Sequence, residues 1–102
     1  MTLSDQEKTE IKRLIGEALS REPEVRRVVV FGSFLSDPGP HDVDVAVFQD
    51  SAENYLTLAL RYRRDVRSVS RRLPVDVVPL KANDSKDPFL VEIEKGETVY
   101  ER

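Results

Sequence analysis

The chain has 102 residues, 39% of them apolar and 34% charged, and a formal net charge of −3. That length supports one domain with a modest core, spanning 1–102, and the acidic balance argues against nucleic-acid binding by the molecule as a whole. Cysteine is absent, which excludes disulfides, thiolate metal sites and a cysteine nucleophile. No basic segment leads into an apolar stretch at the N-terminus and no apolar run could span a bilayer, so a cytoplasmic protein is expected.

In chain order, Ser4-Asp5-Gln6-Glu7 has the capping-box pattern, and Ile11, Leu14, Ile15, Ala18 and Leu19 follow at helical spacing. These predict a helix over about 4–20, ended by Arg21-Glu22-Pro23. The β-branched run from Val25 to Phe31 predicts a strand. Asp37-Pro38-Gly39-Pro40 can continue neither helix nor strand and is read as a turn. Asp42 to Phe48 is a second strand. Asp50-Ser51-Ala52-Glu53 offers a helix start, and Tyr55, Leu58, Ala59, Tyr62, Val66, Val69 and Leu73 form an apolar stripe over about 51–72 that Pro74 stops. Val75 to Leu80 is a short third strand, with Pro79 marking its end. Lys81 to Asp87 reads as a polar loop. Pro88 opens a last helix to about Glu94, Gly96 caps it, and Glu97-Thr98-Val99-Tyr100 adds an edge strand. Helices alternating with short strands give an α/β (α+β) fold: a small mixed sheet with helices packed on it.

The chemistry concentrates in two carboxylates placed inside a run that should be buried. Side chains alternate along a strand, so Asp42 and Asp44 share a face, with Cα atoms about 6.5 Å apart, while Val43, Val45 and Val47 face the core. A buried charge is costly unless paired or bound to a metal. Asp76, between Val75 and Val77, joins them if the third strand neighbours the second. Three gathered carboxylates raise one another's pKa unless a cation neutralises them, and Mg²⁺ is held by this kind of oxygen set. Gly32 lets the backbone approach an anion and Ser33 supplies a hydroxyl, so the turn leaves room for a phosphate. A helical turn over 33–36 would add free N–H groups. The combination suggests a metal-dependent site for a nucleoside triphosphate, with Asp76 as metal ligand or proton acceptor.

Other features have plainer readings. His41, the sole histidine, is a turn residue. Arg61, Arg63, Arg64, Arg67, Arg71 and Arg72 form a solvated face, with a docking surface for an acidic partner or RNA as the alternative. Tyr55 and Tyr62 are read as core.

The segments Val28-Val29-Val30-Phe31-Gly32-Ser33, Asp42-Val43-Asp44-Val45-Ala46-Val47, Pro74-Val75-Asp76-Val77-Val78 and Ile93-Glu94-Lys95-Gly96-Glu97-Thr98-Val99-Tyr100 resemble the minimal nucleotidyltransferases of the polymerase-beta-like superfamily. The resemblance covers essentially the whole chain. It implies that Gly32 and Ser33 contact a triphosphate, that Asp42 and Asp44 bind Mg²⁺, and that Asp76 completes the site. It also implies ATP as substrate, AMP transfer to a hydroxyl of a partner protein, and a helical HEPN-type partner in a toxin–antitoxin pair. The eight residues between Ser33 and Asp42 make a shorter, proline-stiffened loop than the family usually has. A second reading therefore stands beside the first: a catalytically inactive module of the same fold that neutralises its partner by occlusion.

Overall fold

The computed structural model describes residues 2–82, 88 and 90–102. Helix α1 runs Asp5–Ser20, with Ser4 as its N-cap. Both capping-box bonds form: the Glu7 N–H donates to Ser4 Oγ (3.1 Å), and the Ser4 N–H donates to Glu7 Oε1 (3.0 Å). Strand β1 (Val25–Phe31) follows, then a 3-10 turn over Ser33–Leu35 and strand β2 (Val43–Gln49).

The predicted helix over 51–72 starts later and is divided: α2 spans Tyr55–Asp65 and α3 Arg67–Ser70. The competing local bonds explain the late start. The Gln49 side chain accepts from the Ser51 N–H (2.6 Å) and the Ser51 hydroxyl from the Glu53 N–H (2.9 Å), which holds this segment in turns. Asn54 caps α2 instead, accepting from the Thr57 N–H at 2.8 Å. Val66, at the division, leaves helical geometry with φ −98° and ψ 15°. Tyr55 is 58% exposed, contrary to its reading as core, because it lies in the first turn of α2; Tyr62 is fully buried as expected.

Strand β3 spans Val75–Lys81 and so continues through Pro79, where the sequence suggested an end. β3 is at the edge of the described sheet, where the proline's missing N–H costs no ladder bond on the open side. Within the loop expected over 81–87, residues 83–87 lie outside the described residues, as does Phe89. The last helix, α4, covers Leu90–Glu94, and β4 covers Glu97–Glu101.

The sheet order is β3-β2-β1-β4. β1 pairs antiparallel with both β2 and β4, while β2 and β3 are parallel, so the sheet is mixed as expected. One face carries the main core: Val28, Val30, Val43, Val45, Val47, Val75 and Val77 pack against Ile11, Ile15 and Leu19 of α1, Leu58 and Tyr62 of α2, and Val69 of α3. The opposite face is also apolar over most of its length, with Val29, Phe31, Ala46, Phe48 and Leu80 packed with Ile93 of α4. Two covered faces explain why residues 28–31 of β1 and 45–48 of β2 are apolar at every position, without polar alternation. The carboxylates interrupt the second face at one end.

Candidate active site

Strand pairing does most of the assembly. In the parallel β2–β3 ladder Asp44 stands opposite Asp76, and in the antiparallel β1–β2 ladder it stands opposite Phe31. Asp42 precedes Asp44 by two residues and shares its face. One oxygen from each of Asp42, Asp44 and Asp76 can be chosen so that all three lie within 4.8 Å of one another. The condition that β3 neighbour β2 is met, and the three acids named from sequence converge. Asp42 and Asp44 are half-buried and Asp76 is exposed.

This cluster is electrostatically unfavourable by itself. The Asp44 carboxyl is raised above its ordinary range, first by burial and then by the charges of Asp42 and Asp76. Among the described residues, no lysine or arginine forms an ion pair with any of the three. An all-oxygen, all-anionic donor set without a side-chain counter-ion fits a hard divalent cation of the Mg²⁺ type.

β1 delivers the Gly32–Ser33 turn beside these acids, because Phe31, its last residue, is the partner of Asp44. Gly32 has φ +83°, the left-handed region that only glycine adopts readily. A Cβ built there would lie 2.6 Å from Asp44 Oδ2, so a side chain would be strained by the backbone and would displace the Asp44 carboxylate. The following 3-10 turn closes through Leu35 N–H to Gly32 carbonyl (3.3 Å) and Ser36 N–H to Ser33 carbonyl (3.2 Å). Its first N–H groups have no partner within the turn. Phe34 is buried beneath it, and the next residues are tied to the N-terminal segment: the Leu3 N–H donates to the Pro38 carbonyl (2.9 Å) and Lys8 Nζ to the Asp37 carbonyl (2.6 Å). The short loop is thus tied at its first turn and again near its middle. His41 is an exposed bend residue, in keeping with its plain reading.

An open cleft of ≈ 400 Å³ borders the turn, lined by Gly32, Ser33, Leu35 and Ser36 together with Glu92 and Lys95. Glu92 and Lys95 were not singled out from sequence. Their placement follows from Gly96, whose missing side chain lets the chain pass β1: a Cβ there would come within 2.5 Å of the Val30 carbonyl and 2.9 Å of Phe31 Cβ. The sequence showed a glycine after a helix, read as a cap. Gly96 does accept that position, its N–H donating to the Ile93 carbonyl (2.9 Å), but the close approach is its stronger requirement. A further cleft, lined by Gln49, Glu53, Tyr55, Leu58, Pro79, Leu80 and Lys81, lies at the opposite ends of β2 and β3, away from the carboxylates.

The arginines divide. Arg61 faces Glu22 (3.8 Å), Glu24 (3.6 Å) and Glu53 (4.0 Å), and so belongs to an ion network. Arg63, Arg64, Arg67, Arg71 and Arg72 are exposed, and Leu56 and Leu60 beside them on α2 are exposed as well.

A mixed sheet that gathers three acids at the start of two parallel strands, beside a glycine turn, defines a candidate centre for phosphoryl or nucleotidyl transfer. The model of the family Polymerase beta, Nucleotidyltransferase matches residues 13–102, and the chain belongs to that family. Among solved structures, a chain of the "Crystal structure the toxin-antitoxin MntA-HepT" is similar in fold, with 15% sequence identity and a TM-score of 0.63. The alignment covers 92% of this chain and 73% of that one. No curated protein matches the chain. Among the described residues, no helix is long and apolar enough to cross a membrane.

Proposed function

We propose that this protein is a divalent-cation-dependent nucleotidyltransferase that moves AMP from ATP to a hydroxyl of a partner protein, as one half of a toxin–antitoxin pair. The observation that carries the reading is the convergence of Asp42, Asp44 and Asp76 within 4.8 Å beside the Gly32–Ser33 turn. Family membership supports the class of chemistry, and the solved toxin–antitoxin structure of similar fold supports the setting. The HEPN character of the partner and the choice of ATP rest on the sequence resemblance.

Asp42, Asp44 and Asp76 would hold the cation, which supplies charge neutralisation at the phosphates and acidifies the attacking hydroxyl. The turn's work is positional. Gly32 keeps the backbone low beneath the triphosphate, and Ser33 offers a hydroxyl to a phosphate oxygen. The acceptor oxygen attacks the α-phosphorus and a new O–P bond forms. The bond from that phosphorus to the bridging oxygen breaks, pyrophosphate leaves with the electron pair, and the hydroxyl proton passes to a carboxylate, for which Asp76, the most exposed of the three, is best placed. Catalysis on this scheme is orientation and charge stabilisation, with no covalent enzyme intermediate. The partner would dock in part on the outer face of α2, where Leu56 and Leu60 are flanked by exposed arginines.

The test is incubation of the purified protein with Mg²⁺, ATP labelled at the α-phosphate and a lysate of its source. A labelled protein band that vanishes with D42A/D44A supports the reading. A band of equal strength with the double variant rejects the site. The short, doubly anchored loop favours the non-catalytic module as the second reading, and calorimetry separates the two: tight partner binding without Mg²⁺–ATP binding selects the module.

A further inference from the structure

We propose that Lys95 is a substrate-binding residue of this site, its ammonium holding the β- and γ-phosphates of a nucleoside triphosphate in the cleft beside the Gly32–Ser33 turn. The proposal rests on the nucleotidyltransferase reading above and adds a residue to it.

Sheet register places Lys95. Asp76, Asp44 and Phe31 form one row across β3, β2 and β1. Val30 pairs with Glu97 of β4, so Gly96 continues that row beside Phe31, and its contact with the Phe31 Cβ agrees. Lys95 therefore leaves the row on the side opposite Asp76, with the Gly32 turn between them. The cleft it lines contains Gly32, Ser33 and Ser36, and Lys95 is the only cationic side chain in its wall among the described residues. A cation held by the acids would neutralise the phosphates nearest it; on the far side of the turn the serines bring no charge, and Lys95 supplies one there.

Lys95 is also free to change partners. Its Nζ lies 3.8 Å from Glu92 Oε1, a long ion pair between side chains 70% and 60% exposed. Such a pair contributes little to stability, so exchanging Glu92 for phosphate is inexpensive. Glu92 lines the same cleft and opposes an anion there. It would thus set the affinity downward while Lys95 sets it upward. The role asks for a point charge on a flexible stem, which an ammonium supplies and a guanidinium can replace.

Calorimetric titration with Mg²⁺–ATP and with Mg²⁺–tripolyphosphate tests this on the wild type, K95M, K95R and E92Q. Losing a charge-assisted contact weakens binding by about tenfold or more. The expected pattern is that loss for both ligands in K95M, affinity retained within about threefold in K95R, and equal or tighter binding in E92Q. K95M binding both ligands as the wild type does would overturn the role of Lys95 and leave the carboxylate site standing. K95R as weak as K95M would also overturn it, since the charge would then not be what binds. A wild type that binds neither ligand would remove the nucleotidyltransferase reading and this proposal together. Thermal midpoints unchanged across the variants exclude misfolding as the cause, and the exposure of both side chains makes that the expected result.

Discussion

Asp44→Asn is the most informative perturbation of the carboxylate cluster. Asp44 lies within 4.8 Å of both Asp42 and Asp76 by their nearest oxygens, and each repulsion at that distance is about 0.9 kcal/mol at the dielectric of water. Physiological salt roughly halves this, leaving about 1 kcal/mol for the two. No hydrogen bond to the Asp44 side chain occurs among the described residues to offset that gain, and asparagine keeps its shape. Without divalent ions the variant should therefore be more stable than the wild type by about 1 kcal/mol, or roughly 4–8 °C in midpoint for a domain of this size. Added Mg²⁺ reverses the order. A cation at ten times its dissociation constant stabilises the wild type by about 1.4 kcal/mol, and the variant by much less. Thermal unfolding in EDTA and across a Mg²⁺ series reads both effects. A variant less stable in EDTA, with an undiminished Mg²⁺ response, would refute the argument.

Three further outcomes follow from other residues. Gly32→Ala places a Cβ 2.6 Å from Asp44 Oδ2 at φ +83° and should lose about 1–2 kcal/mol from backbone strain alone, together with the Mg²⁺-dependent rise in midpoint; denaturant titration with and without Mg²⁺ checks both. Tyr62→Phe removes the hydroxyl that donates to Glu24 Oε2 at 2.7 Å from an otherwise buried ring, and should cost about 1–2 kcal/mol in urea unfolding. Asp65→Asn should stabilise the protein at neutral pH. Its Oδ2 is buried with no hydrogen-bond partner among the described residues, and its carboxyl is raised by burial against the lowering effects of Arg64, Glu22 and Arg61; Glu22 is raised by burial and by Asp65 and Glu24. Acids raised on folding contribute stability that is full below their unfolded values near pH 4 and is lost as pH climbs through the folded ones. The gain from Asp65→Asn should accordingly shrink as pH falls toward 4, and a gain independent of pH would contradict the assignment.

The site's acids were legible because strand alternation alone places Asp42 and Asp44 on one face and sets Asp76 against its valine neighbours. What alternation cannot supply is the neighbour relation. Asp76 reaches Asp44 only because β3 lies parallel to β2 in register, a tertiary fact. Lys95 and Glu92 escaped notice for the same reason. Nothing in Ile93-Glu94-Lys95-Gly96 distinguishes a solvated helix end from the wall of a cleft until β4 pairs with β1 and brings Gly96 against Val30 and Phe31. The misplaced start of α2 has a local cause. Ser51 carries a capping side chain, but its hydroxyl and N–H are engaged in turns with Glu53 and Gln49, and Asn54 takes the cap. Periodicity then misassigned Tyr55, which fits the apolar stripe by spacing yet precedes the point where α2 meets the sheet. Strand β3 outran its proline because an edge position tolerates one, and sequence does not say which strand is at an edge.

Binding of a divalent cation by residues 42, 44 and 76 is tested most directly by Mn²⁺ titration followed by backbone amide NMR. Selective paramagnetic broadening of Asp42, Val43, Asp44, Asp76 and Gly32, reversed by excess Mg²⁺ and absent in D42N/D44N, is the predicted result. Broadening that spares these amides, or that persists unchanged in the double variant, would contradict it.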